Sequence, residues 1–135
     1  MQTPLLDTHI WIWYVGDQSK LDIQELDVLD GLDFEDRPFL SDFSLWEIAT
    51  LVNLGRLTVD RPLDQWLSLA ARPAVVHLVP VSVAVAFELA NLPDTFHRDP
   101  ADRVIVATAR AHGLPVLTRD RKIINSGLVT VWTPE

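Results

Sequence analysis

The 135-residue sequence has no cysteine. That excludes a disulfide framework and a thiolate metal site, and it points to a reducing compartment, the cytoplasm. Basic charge is scarce: 11 Lys and Arg stand against 19 Asp and Glu, for a net charge of −8. That balance argues against a surface built for phosphate backbones, unless the acids are gathered to hold cations that invert the local field. No apolar run can span a membrane; the run over residues 75–81 is broken by His77 and Pro80. No basic region precedes the first apolar residues, so no signal peptide is expected. Neither G-x-G-x-x-G nor a Walker-type Gly-Lys-Ser/Thr occurs, so no glycine loop cradles nucleotide phosphates. What remains is 48% hydrophobic, enough at this length for one globular domain over residues 1–135.

Along the chain, strand-like runs alternate with helical patterns. Residues 4–6 read as a strand ending at Asp7 and Thr8, where a helix with Trp11, Trp13 and Tyr14 begins. Three aromatics exceed one buried helix face, which leaves some of them to cover a partner surface, and Trp66 either joins that surface or lies in the core. Residues 20–35 read as one amphipathic helix whose acids, Asp22, Glu25, Asp27, Asp30 and Asp33, form a solvated face. After a strand at 38–41, Ser44-Leu45-Trp46-Glu47 has the form of a capping box, with Ser44 at the N-cap of a helix that Gly55 ends. Pro62 starts the next helix; a strand follows at 75–81 and a short helix at 84–92. Asp99 then caps a buried helix, with Pro100 in its first position and Gly113 at its left-handed end. A strand at 115–118, a short helix at 121–126 and a closing strand at 128–132 complete the pattern.

Such alternation predicts an α/β fold, a mainly parallel sheet of about five strands covered by helices on both faces. Strand ends and helix starts then share one edge, where ligands bind. Asp7, Asp42, Glu47, Asp99, Asp102 and Asp120 are all expected on that edge. Helix capping alone accounts for acids in such places. Four or more carboxylates held together nonetheless repel, and their pKa values rise unless a cation neutralises them. A hard divalent ion with oxygen ligands suits that set, and with no cysteine and scattered histidines Zn²⁺ suits it less. The residues thus point to a metal-dependent phosphoryl-transfer or hydrolysis site. Arg98, Arg103, Arg119, Arg121 and Lys122 flank these acids and offer either local phosphate contacts or ordinary surface charge.

Four stretches resemble PIN-domain nucleases: Leu5-Leu6-Asp7-Thr8-His9, Ser44-Leu45-Trp46-Glu47-Ile48-Ala49, His97-Arg98-Asp99-Pro100-Ala101-Asp102-Arg103, and Leu117-Thr118-Arg119-Asp120. Their order and spacing, with Gly55-Arg56-Leu57 after the Glu47 helix, most resemble the VapC-type toxins of bacterial toxin–antitoxin pairs. The resemblance implies a PIN-like three-layer α/β/α sandwich and a Mg²⁺-dependent endoribonuclease in which Mn²⁺ can substitute. It implies Asp7, Glu47, Asp102 and Asp120 as metal-holding catalytic acids, Asp99 as an additional acid, and Thr8, Ser44 and Thr118 as hydroxyls that orient them. Asp42 departs from the family, which more often has a small neutral residue there. The resemblance further implies an RNA substrate, a homodimer, and a VapB-like antitoxin forming a heterotetramer or larger assembly. A housekeeping RNA-processing nuclease without antitoxin, and a catalytically silent binding module, are the competing expectations.

Overall fold

The computed structural model describes residues 2–134. Four short parallel strands, β1 (Leu5–Leu6), β2 (Phe39–Ser41), β3 (His77–Val79) and β4 (Val116–Leu117), form a sheet in the order β3-β2-β1-β4. The helices are α1 (Thr8–Val15), α2 (Ile23–Asp30), α3 (Phe43–Asn53), α4 (Leu63–Ala70), α5 (Val83–Ala90), α6 (Pro100–His112) and α7 (Arg121–Ile124).

The central register places Leu5 between Phe39 and Val116, and Leu6 between Leu40 and Leu117. Successive strand side chains face opposite ways, so these two rows enter different cores. Leu5, Phe39 and Val116 pack against Ile105 and Ala109 of α6. Leu6, Leu40 and Leu117 pack with Ile10 and Trp11 of α1, Leu29 of α2, Ile48 of α3 and Ala70 of α4. Helix α5 lies on α6 through Val85 and Val106. The product is the expected three-layer sandwich.

Three expectations change. The sheet has four strands, not five, because residues 128–132 contribute only a bridge between Val131 and Val116. Pro115 and Leu117 turn their carbonyls to β1, so Val116 alone presents its amide and carbonyl to the outer side, both at 2.8 Å. A two-residue strand has no more ladder to give. Residues 20–35 also break up. Helix α2 starts after Asp22, whose amide donates to Glu25 (2.8 Å), ends at Gly31, and is flanked by 3-10 turns at Gln18–Lys20 and Phe34–Asp36. Local side-chain bonds to the backbone here override a longer helical period. Finally, the aromatics of α1 are largely core. Trp11 is fully buried, donates Nε1 to the Ala70 carbonyl (2.9 Å) and meets Trp66 edge-on, and Tyr14 is buried beside Arg37.

Because the strands are parallel, β1, β2 and β4 release the chain on one edge, where α1, α3 and α7 begin. The chain builds β2 and β3 on one side of β1 and returns to place β4 on the other, so the crevice lies beside β1.

Candidate active site

Asp7 leaves β1 with both carboxylate oxygens engaged: Oδ1 accepts the Thr8 amide (2.7 Å) and Oδ2 accepts the Thr118 hydroxyl (2.6 Å). The same Thr118 oxygen accepts the Asp120 amide at 2.9 Å, so one hydroxyl ties the exits of β1 and β4 together. The Thr8 and Ser44 hydroxyls bond at 2.8 Å, linking α1 to α3. Asp7, Thr8, Ser44 and Thr118 are all buried. Burial pushes the Asp7 carboxyl above its usual range; the Thr118 hydroxyl opposes that rise and the Asp120 charge adds to it.

Ser44 does not cap α3. The helix starts at Phe43, after Asp42, which is itself in a helical conformation (φ −64°, ψ −18°) and accepts the Val81 amide (3.2 Å). The Ser44 hydroxyl therefore turns to Thr8, and Glu47 lies in the second turn rather than in a capping box. Glu47 Oε1 is buried without a hydrogen-bond partner. Burial raises the Glu47 pKa, the Thr8 hydroxyl pulls it down, and the Asp7 and Asp99 charges push it up again. A buried carboxylate oxygen with no donor is costly unless a proton or a cation satisfies it.

Helix α6 begins as its sequence dictates: Asp99 Oδ1 accepts the Asp102 amide (3.1 Å), Pro100 fills the first position, and Gly113 at φ 64° closes it. Asp102 then faces the exit of β4. Burial, the hydrogen-bonded Asp120 carboxyl, and the charges of Asp7, Asp120 and Asp99 push Asp102 up to about 8. His97 Nε2 stands 3.1 Å from Asp102 Oδ2, too poorly aligned for a hydrogen bond. Among the described residues, His97, Asp102 and Asp120 form the group whose ligating atoms all lie within 4.8 Å of one another. Asp7 and Glu47 are not in that group; the Asp7 charge acts on Asp102, and Glu47 is coupled by charge to Asp7 and Asp99.

The arrangement suits a divalent cation. Three carboxyls titrate high because they are buried near like charge, and Glu47 offers an oxygen that none of the described residues satisfies.

The arginines divide. Arg103 donates to the Phe96 and His97 carbonyls (both 3.1 Å), holding the loop before α6. Arg119 grips Glu25 with both terminal nitrogens. Arg98 and Arg121 are exposed at the site edge, as is Lys122. Glu25 is thus a buried ion-pair partner, not part of a solvated face. His97 was the other residue missing from the expected acid set; its signal is its position at the head of the stretch that leads into α6.

The PIN-domain family profile matches residues 5–126, and the chain belongs to that family. Within it the chain is similar to Ribonuclease VapC22 of Mycobacterium tuberculosis, 32% identical across 98% of this chain and 100% of the relative. Solved structures share the fold. VapBC2 from Rickettsia felis, bound to a DNA fragment from its promoter, has a TM-score of 0.72 at 13% identity, covering 97% of this chain and 98% of that one. DNA-bound VapBC from Salmonella typhimurium has a TM-score of 0.70 at 16% identity, covering 98% of each chain.

Proposed function

We propose that this chain, as a single PIN domain over residues 1–135, is a metal-dependent endoribonuclease and the toxin of a VapBC-like toxin–antitoxin pair. The observation that carries the reading is the close approach of Asp102 and Asp120 beside His97, with the Asp7 charge acting on Asp102 and with Glu47, its Oε1 unsatisfied, coupled by charge to Asp7. The relative named a ribonuclease, and the neighbours solved as VapBC assemblies, support the same reading.

Asp7, Glu47, Asp102 and Asp120 would hold the ion, Mg²⁺ by preference with Mn²⁺ as a substitute, and Asp99 stands beside them as a further acid. The chemistry such an ion supplies is polarisation of a phosphoryl oxygen and acidification of water. The chain's own part is positioning. Thr118 fixes Asp7 and the Asp120 backbone, while the Thr8–Ser44 bond holds α1, which follows Asp7, against α3, which carries Glu47. Arg98 and Arg121 are the arginines free to meet RNA phosphates, since Arg103 and Arg119 are bonded within the fold. A VapB-like antitoxin that covers this edge would bring a Lys or Arg to the acids. A homodimer, joined by antitoxin into a heterotetramer or larger assembly in the cytoplasm, completes the reading. Among the described residues no helix is long and apolar enough to cross a membrane.

The test is cleavage of total bacterial RNA by antitoxin-free protein in Mg²⁺ and in EDTA, beside Asp102→Asn prepared identically. Cutting that needs Mg²⁺ and vanishes in Asp102→Asn is expected. Cutting that persists in the variant removes Asp102 from the reaction.

A further inference from the structure

The His97 imidazole is held in place by the fold itself. Arg103 donates to the carbonyls of Phe96 and His97 (both 3.1 Å), which ties this loop to the helix that carries Asp102. Buried Phe96 meets the imidazole edge-on, with ring centroids 4.7 Å apart. So fixed, His97 Nε2 is buried and has no hydrogen-bond partner among the described residues. A buried nitrogen left in that state is costly unless something outside the fold satisfies it. Asp102 Oδ2, 3.1 Å away, does not, because the pair is misaligned for a hydrogen bond. The spacing is that of two adjacent ligands on one ion, since bonds of about 2.1 Å at right angles put their ends about 3 Å apart. Asp120 completes the group. It gives Oδ1 to the Lys122 amide (2.9 Å), and one ligating atom each from His97, Asp102 and Asp120 lie within 4.8 Å of one another.

We propose that His97 Nε2 is a direct ligand of the divalent ion, beside Asp102 and Asp120, and that it biases the site toward ions that accept nitrogen. The proposal rests on the metal-dependent reading above and adds an imidazole to the residues that hold the ion. A neutral imidazole with its proton on Nδ1 offers the Nε2 lone pair. Mg²⁺ keeps oxygen ligands and several of its waters, so a nitrogen in place of water gains it little. Mn²⁺ and, more strongly, Co²⁺ gain from the exchange. A histidine with only a structural part to play would bond Asp102 or a backbone group through Nε2, and His97 does neither. His9 is the other imidazole whose charge acts on Asp7 and Glu47, but it is exposed and outside the group of converging ligand atoms.

The experiment loads the antitoxin-free chain with Mn²⁺ and records pulsed EPR on protein grown with ordinary and with nitrogen-isotope-labelled histidine. Echo modulation from a directly bound nitrogen is expected, shifted in frequency by the label, lost in His97→Gln and kept in His9→Gln. Calorimetric titration should show His97→Gln weakening Co²⁺ at least about tenfold, Mn²⁺ less, and Mg²⁺ less than about threefold. Thermal melting without metal checks the fold. If His97→Gln is damaged, the labelled His9→Gln protein still decides, because His77 and His112 lie at the start of β3 and the end of α6, away from the strand exits. No nitrogen coupling to bound Mn²⁺, or coupling that survives in His97→Gln, overturns the ligand and leaves the metal-dependent reading in place. Equal loss of affinity for Mg²⁺, Mn²⁺ and Co²⁺ overturns it too, and makes His97 a residue that only positions Asp102. If the parent protein binds none of these ions, the metal-dependent reading falls and the ligand falls with it.

Discussion

Asp102 holds a proton through most of the neutral range, its carboxyl being pushed to about 8 by burial and by Asp120, Asp7 and Asp99. An unfolded chain releases that proton near the ordinary value of 3.8. Between those values the folded protein binds more protons than the unfolded one, so metal-free stability falls as pH rises from about 4 to about 8. Asp102→Asn should flatten that slope in thermal melts recorded across the window. A divalent ion displaces the proton, so Mg²⁺ affinity should climb from pH 6 to pH 8, with release of about one proton per ion bound at pH 7. Calorimetry in two buffers of different ionisation enthalpy reads this directly, and an affinity indifferent to pH would take Asp102 out of the ligand set. Thr118 makes a second prediction at this scale. Thr118→Val keeps the side-chain volume but removes the oxygen shared by Asp7 and the Asp120 amide. RNA cleavage should fall about 10–100-fold, as for other groups that orient ligands. Stability should drop by about 1–2 kcal/mol in denaturant titration. Thr118→Ser should recover most of the activity.

Helix α2 is anchored to the exit of β4 by the Glu25–Arg119 pair, 94 residues apart in sequence. Glu25 is buried, which alone would raise its pKa, but the Arg119 guanidinium and the Asp22 amide outweigh burial and hold it below the usual range. Its stabilising contribution is therefore complete above the unfolded value and is lost as pH falls through the lower, folded one. Arg119→Ala strands the Glu25 charge and should cost about 1–2 kcal/mol, less than a fully buried pair because Arg119 is partly in solvent. Glu25→Leu combined with Arg119→Met should recover much of the loss in chemical denaturation. These elements also show what can be read from a sequence. Helix α6 is legible because Asp99, Pro100 and Gly113 act within the segment itself. The acids at strand exits are legible because alternation of strands and helices dictates a shared edge. Ser44 misleads, since a capping hydroxyl and one aimed at another helix look the same in sequence, and only Thr8 decides between them. Glu25 is hidden for the same reason: its partner, Arg119, is 94 positions away and set by tertiary approach, whereas His97 and Asp102 are neighbours across the start of α6. The closing strand misleads differently, because its ladder is limited by the length of β4 and not by its own residues.

At the scale of the whole molecule, a protein of net charge −8 that handles RNA must bind it with few ionic contacts. Arg98, Arg121 and Lys122 are exposed at the site edge and, unlike Arg119, in no ion pair among the described residues, so RNA affinity should depend on salt with a log–log slope of about −2. Titrations at fixed Mg²⁺ between 50 and 200 mM KCl check this, and a slope steeper than about −4 would mean a basic surface elsewhere. The bond from Thr118 to Asp7 spans 111 positions, and Asp120 lies beyond it. Asp7 and Glu47 are therefore supplied early in the chain, while the wall that Thr118 and Asp120 form comes from more than a hundred positions further on, so no N-terminal fragment that stops short of residue 118 holds both sides of the crevice.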